Sequence, residues 1–252
     1  MTRLYALLSI FVVSAFLAAL PARADEPPED PEHAHDPTDV WAIGRGGQLY
    51  DNWMVSVLND EIREAHPAYP AEGKKKGMAT WRCKECHGWD YLGRDGDYAV
   101  GSHKTGIIGV RRMAGMPPDR IQRVLSDVHP EFTDGLLSHS AQEMLSYFLG
   151  NGQIDMDIYI DRDTYEARGD KKEGAKLYQS VCANCHGYDG KDINFASRKF
   201  PSYTGTVCTR NPWEALHKIR FGQPGVGMVA LTNLPMKDVA NILAYCQTLP
   251  PK

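Results

Sequence analysis

Two contrasting patterns open the chain. Leu4 to Leu20 is an almost unbroken apolar run, preceded by Arg3 and followed by the small-x-small triplet Ala22-Arg23-Ala24. A basic start, an apolar stretch and such a triplet are the parts of an export signal, so residues 1–24 read as a signal peptide cleaved after Ala24. The competing reading is an uncleaved anchor helix, for which the run is slightly short. No other segment is apolar enough to cross a bilayer. Residues 25–40 then hold four prolines, seven acidic residues and no Lys or Arg. A stretch this polar cannot bury enough surface to offset the entropy of ordering, and it reads as a disordered acidic leader. His33 and His35 within it could bind a metal, but in such a tail they read as solvated.

From Trp41 onward the pattern becomes amphipathic and helical, and no convincing alternating run marks a strand. The expected fold class is all-α. The pattern also repeats. Leu49-Tyr50 is answered by Leu177-Tyr178, and Glu143-Met144-Leu145-Ser146-Tyr147 by Asn241-Ile242-Leu243-Ala244-Tyr245 at an offset of 98. Turn signals follow each terminal segment, Gly150-Asn151-Gly152 in one and Leu249-Pro250-Pro251 in the other. The chain therefore divides into a first unit at 41–150, a polar connector at 151–170 and a second unit at 171–252. The first unit carries an insertion at about 54–80, with Pro67, Pro70 and the run Lys74-Lys75-Lys76, expected in a surface loop. The 228 residues left after cleavage suffice for two domains of about 100 residues each.

Charge narrows the function. Cleavage would leave 26 basic and 32 acidic residues, and the excess acid sits in the leader, so the folded units are near neutral. No basic face for nucleic acid is present.

Each unit holds one Cys-x-x-Cys-His-Gly: Cys83-Lys84-Glu85-Cys86-His87-Gly88 and Cys182-Ala183-Asn184-Cys185-His186-Gly187, 99 residues apart. This is the attachment signature of c-type haem. Two thiols form thioethers to the two vinyl groups on one porphyrin edge, and the next residue, His, lies under the iron. A thioredoxin-like pair has no need of the His, and a zinc ribbon places its cysteine pairs far closer together. Two copies behind an export signal favour haem over a disulfide framework.

These residues, with the Leu-Tyr helix before each motif and the Leu-x-Tyr terminal helices, resemble class I c-type cytochromes. The chain over about 41–250 resembles a tandem dihaem cytochrome c of the bacterial periplasm. The resemblance implies two tandem cytochrome c domains, each wrapped around one covalently attached haem c. It also implies electron transfer between a protein redox donor and acceptor, with no membrane span after signal cleavage. His87 and His186 become the proximal axial ligands.

The distal ligands are the open question. The family places a Met in a loop before the last helix, and Gly222-Gln223-Pro224-Gly225-Val226-Gly227-Met228 fits, although Val229 stands where the family has Pro. A thioether there suits haem iron. Met236 is the competitor. The first unit has no such Met; Met113 and Met116 come too early. His186 to Met228 is 42 residues, and 42 residues past His87 is His129. His129 is therefore the expected distal ligand of haem 1, with His103 as runner-up and His139 less favoured. A His pair gives a lower potential than His/Met, so electrons are expected to pass from haem 1 to haem 2.

Cys208 and Cys246 remain, and an oxidising compartment favours a disulfide between them. Two free thiols, or a thiolate ligand to iron, are the alternatives. No set of nucleophile, base and oxyanion donors stands out, so no catalytic residue is assigned and the protein reads as a carrier. A dihaem enzyme of peroxidase or thiosulfate dehydrogenase type is the alternative, as is an electron-transfer subunit with a stable oxidoreductase partner. The tryptophans Trp41, Trp53, Trp81 and Trp89 read as core, or as a concealed interface.

Overall fold

A computed structural model describes residues 39–57, 62 and 64–251. The proposed signal peptide, nearly all of the acidic leader with His33 and His35, and residues 58–61 and 63 of the insertion lie outside the described residues. Among the described residues the fold is helical, with two isolated bridges, Gly93 to Ile108 and Ile160 to Ala167, and no strand. No helix among them is long and apolar enough to cross a membrane.

Chain order gives α1 (Asp39–Asn52), α2 (Met54–Val57), α3 (Cys83–His87), α4 (Pro118–Val128), α5 (His139–Tyr147) and α6 (Met156–Tyr159). The second half follows with α7 (Lys171–Leu177), α8 (Ala183–His186), α9 (Thr204–Arg210), α10 (Pro212–Phe221) and α11 (Met236–Cys246). Local chemistry sets the ends. Ser138 caps α5 by accepting from Ala141 N, and Asp170 caps α7 by accepting from Lys172 and Glu173 N. Asn211 caps α10, whose first residue is Pro212. Asp39 and Val40 are the first residues of α1, so the leader ends earlier than its composition indicated.

The two halves share one packing device. In the first, α1 crosses α5 at Gly46, where a side chain would overlap Met144 O and lie 2.6 Å from Phe148 Cβ. In the second, α7 crosses α11 at Gly174, which faces Asn241 O and lies 3.0 Å from Tyr245 Cβ in the same sense. Met144 and Phe148 are thus the partners of Asn241 and Tyr245, at an offset of 97. This corrects the sequence register of 98, which paired the half-buried Tyr147 with Tyr245; the buried Phe148 is the true equivalent. Each crossing helix also leads to a tyrosine one turn later. Tyr50 donates to Gly88 O at 2.6 Å, and Tyr178 to Gly187 O at 3.2 Å. The glycine after each motif histidine has φ near +80°, a conformation that disfavours any side chain.

Two further expectations change. The connector at 151–170 is polar outside only; Ile154, Met156 and Ile160 are buried, and Arg162 pairs with the buried Asp90. Cys208 lies inside α9, just before α10. The tryptophans divide: Trp53 and Trp89 are core, whereas Trp41 is exposed.

The halves meet along α1 and α10. His217 on α10 is fully buried among Trp89, Tyr91, Phe148 and Phe221. Its Nε2 lies 3.0 Å from Gly47 O, which can only accept, so Nε2 carries the proton. Nδ1 then accepts from Tyr91 OH at 2.8 Å. Nearby, the buried Asp51 on α1 pairs with Arg82 and lies 3.6 Å from Lys218 on α10.

Candidate functional site

The short helix α3 presents Cys83, Cys86 and His87 to a cavity of about 310 Å³. That volume is at the lower end for a small-molecule site. The walls are mainly apolar, and Tyr50, Ile108, Leu125, His129 and Phe132 are among the lining residues. Burial pushes the Cys83 and Cys86 thiols up to about 12, well above a reactive dithiol. Both are unpaired, as are Cys182 and Cys185. The raised values disfavour a redox-active dithiol at Cys83 and Cys86, and all four motif thiols are left available for covalent attachment.

His87 Nδ1 lies 2.7 Å from Ile108 O. A carbonyl only accepts, so Nδ1 carries the proton and Nε2 keeps its lone pair. Burial lowers the His87 pKa to about 4, so the ring is neutral at pH 7, the metal-binding form. Across the cavity stands His129, just past the end of α4, with Nδ1 3.1 Å from Glu131 Oε1. A carboxylate there accepts, and His129 Nε2 is likewise left free. The His87 and His129 ring centres are 6.3 Å apart. Two imidazole nitrogens each about 2 Å from one ion, with ring centres roughly 1.1 Å behind them, would stand about 6.2 Å apart. The spacing of the pair matches that of two imidazoles sharing one ion.

A carboxylate stands behind His129. Glu131 Oε1 also lies 2.8 Å from Nε2 of the buried His66, an ion-pair contact rather than a well-aligned hydrogen bond. Candidate ligand atoms of His66, His129 and Glu131 lie within 4.8 Å of one another. Burial works to raise the Glu131 carboxyl, but hydrogen bonds from its own backbone and from His129 outweigh it, leaving its pKa below the usual range. His66 belongs to the insertion, and with Ala68 and Thr80 it lines the cavity. The insertion is thus part of the cavity wall as well as a surface loop. Neither His66 nor Glu131 was singled out from sequence. The only signal was a His-Pro step in each segment, His66-Pro67 and His129-Pro130, too weak to use alone.

His103 does not line this cavity. Its Nδ1 lies 2.7 Å from Glu85 Oε1 and its ring stacks on Tyr98. Glu85 also pairs with Lys84 at 2.9 Å. Burial works to raise the Glu85 carboxyl, and these two partners override it and lower it to about 2. The two residues between the motif cysteines are therefore a buried ion pair that fixes the 97–103 loop. His139 is exposed at the start of α5.

In the second half, α8 presents Cys185 and His186, with Cys182 in the preceding turn. Thr204 Oγ1 lies 3.2 Å from His186 Nδ1 and can fix that nitrogen, leaving Nε2 for a metal. Burial lowers the His186 pKa. Phe195, 49% exposed, packs its ring 6.0 Å from that of His186, and Val181 is also exposed. Such apolar side chains beside the motif suit contact with a flat apolar group. Met228 is half-buried in the loop after α10, and among the described contacts none joins it to His186. Met236 lines a different crevice, with Val40, Ile43 and Arg220. Cys208 and Cys246 are paired across α9 and α11, with Cα atoms 5.9 Å apart.

Residues 169–246 match the family model described as cytochrome C oxidase, cbb3-type, subunit III. The match supports a c-type cytochrome domain over those residues, with covalently bound haem c, electron transfer and redox protein partners. No curated protein and no solved structure matches the chain.

Proposed function

We propose that the chain is an exported, periplasmic dihaem cytochrome c that passes single electrons between redox proteins. Residues 41–150 and 171–252 would be its two cytochrome domains. Haem iron supplies the one-electron couple, and the side chains decide the rest. Cys83 and Cys86 anchor one group, and Cys182 and Cys185 the other. His87 and His129 would hold the first iron, and His186 and Met228 the second. Imidazoles held through Nδ1 have little freedom to turn, which limits the reorganisation that accompanies electron transfer. The Cys208–Cys246 disulfide ties α9 to α11 behind the second site.

The observation that carries this reading is the facing pair His87 and His129, with both Nδ1 atoms occupied and ring centres 6.3 Å apart. An enzyme of peroxidase type needs an open distal face, and His129 stands on that face. The name of the matching family is that of an oxidase subunit, which favours a carrier whose partner is another redox protein, including a permanent one. The test is ferric electron paramagnetic resonance of the purified protein and of His129→Ala. Low-spin signals from both irons, with one turning high-spin in the variant, support the reading. A high-spin or thiolate-type signal in the unmodified protein would instead indicate the enzyme.

A further inference from the structure

The loop that carries Met228 belongs to the second half, but its footing lies on the first. Gly44, Gln48 and Val55 sit on one side of α1 and α2 and all touch the segment from Phe221 to Thr232. A side chain on Gly44 would lie 3.2 Å from Thr232 Cγ2. Val55 occupies the space beside Gly225, leaving no room for a Cβ there. Between them, Gln48 Nε2 donates to Phe221 O at 3.0 Å, the last carbonyl of α10. Arg45 Nη1 donates to Gln48 Oε1 at 2.8 Å, which fixes the end of the amide that faces the loop. At Gly222, whose φ is +80°, a side chain would meet Met228 O at 2.6 Å, Gln48 Nε2 at 3.1 Å and Ala230 N at 3.5 Å. The Gln48 amide, the turn out of α10 and the Met228 backbone therefore converge on one spot. The far root is clipped by Arg220, which donates to Leu231 O at 2.8 Å. The crest is free, with Val226 64% and Val229 58% exposed.

We propose that Gln48 is a positioning residue for Met228, so that helix α1 of the first half sets the distal ligation of the second haem. This rests on the reading of Met228 as that haem's ligand. A loop with fixed roots and a free crest holds its central residue only as firmly as the roots allow. Losing one neutral hydrogen bond of ordinary strength at a root raises the open population roughly five-fold. The consequence is structural coupling: a change in the first half alters the ligand of the second.

The test uses the purified, haem-loaded protein and the methionine–iron charge-transfer band of the ferric state. Gln48→Leu keeps the side-chain size and removes the donor. Where a ligand that must lose one proton replaces the methionine at high pH, a five-fold larger open population lowers the midpoint of band loss by about 0.7 pH unit relative to the unmodified protein. Arg45→Ala should give a smaller shift in the same direction. The spectrum of the first haem should stay unchanged in both, which also reports that the variants fold. Met228→Ala separates the two layers of the argument. If the band survives it, the assignment of Met228 fails. If Met228→Ala removes the band while Gln48→Leu and Arg45→Ala leave its midpoint in place, Met228 stands and the role of Gln48 is overturned. Equal disturbance of both haems in Gln48→Leu would likewise overturn it, as general destabilisation.

Discussion

Replacing His217 by Phe tests what holds the two halves together. Phe preserves most of the ring packing against Trp89, Tyr91 and Phe221 but removes both polar contacts. Tyr91 OH would then lose its acceptor, a buried donor left unpaired at a cost of about 1–3 kcal/mol, while Gly47 O would keep its helical bond within α1 and lose only the second donor. A loss of about 1–3 kcal/mol at pH 7 follows. The pH dependence makes the test sharper. Burial lowers the His217 pKa from 6.5 to about 4. The unfolded chain therefore takes up a proton at a pH where the folded protein refuses it. The contribution of neutral His217 is complete above pH 6.5 and declines as pH falls from 6.5 to about 4. At about pH 4.5 the decline is about 2.5 kcal/mol. The phenyl ring of the variant cannot titrate, so the variant escapes this loss. The stability gap between the two proteins should therefore move by about 2.5 kcal/mol in favour of the variant between pH 7 and about pH 4.5. Denaturant unfolding of the haem-loaded proteins at both pH values measures it. A gap that stays constant with pH would refute the claim that His217 is kept neutral by burial. Equal stability at pH 7 would refute the claim that its two hydrogen bonds matter.

Other substitutions probe the two sites. Glu131→Gln removes the negative charge behind His129, makes that imidazole a weaker donor and should raise the potential of the first haem by tens of millivolts, on the order of a few-fold in equilibrium constant. His103→Ala should leave the first haem low-spin, because His103 binds Glu85 outside the cavity; conversion to high-spin would restore it as a ligand. Replacing both Cys208 and Cys246 by Ser opens a 38-residue loop and should cost roughly 4 kcal/mol in the chain-entropy model, read by denaturant unfolding. Mass spectrometry with and without reductant checks the bond itself.

Much of this arrangement was legible because covalent chemistry constrains it. A haem attachment motif fixes two thiols and an imidazole within five residues, so their joint placement on α3 and around α8 follows from spacing alone. The count of 42 residues led to His129, which lines the same cavity as His87, because each half carries a long segment and a helix after its motif. Counting failed by one residue in the terminal helices, where similarity of Tyr147 to Tyr245 outweighed the packing that makes Phe148 the partner of Gly46. The contacts of His66 and Glu131 with His129 were not legible, because they join an insertion to a turn and leave no periodic trace. The footing of the Met228 loop on α1 was equally hidden. Glycines at 44 and 47 look like poor helix formers in isolation, and only the close approach of Thr232 and Phe221 explains them.

Spectroelectrochemical titration of the purified protein bears most directly on the central claim. Two one-electron waves are expected, the lower accompanied by the spectrum of a bis-histidine haem and the higher by loss of the methionine–iron band. A single haem, two waves in the reverse order, or a high-spin component at the lower wave would contradict it.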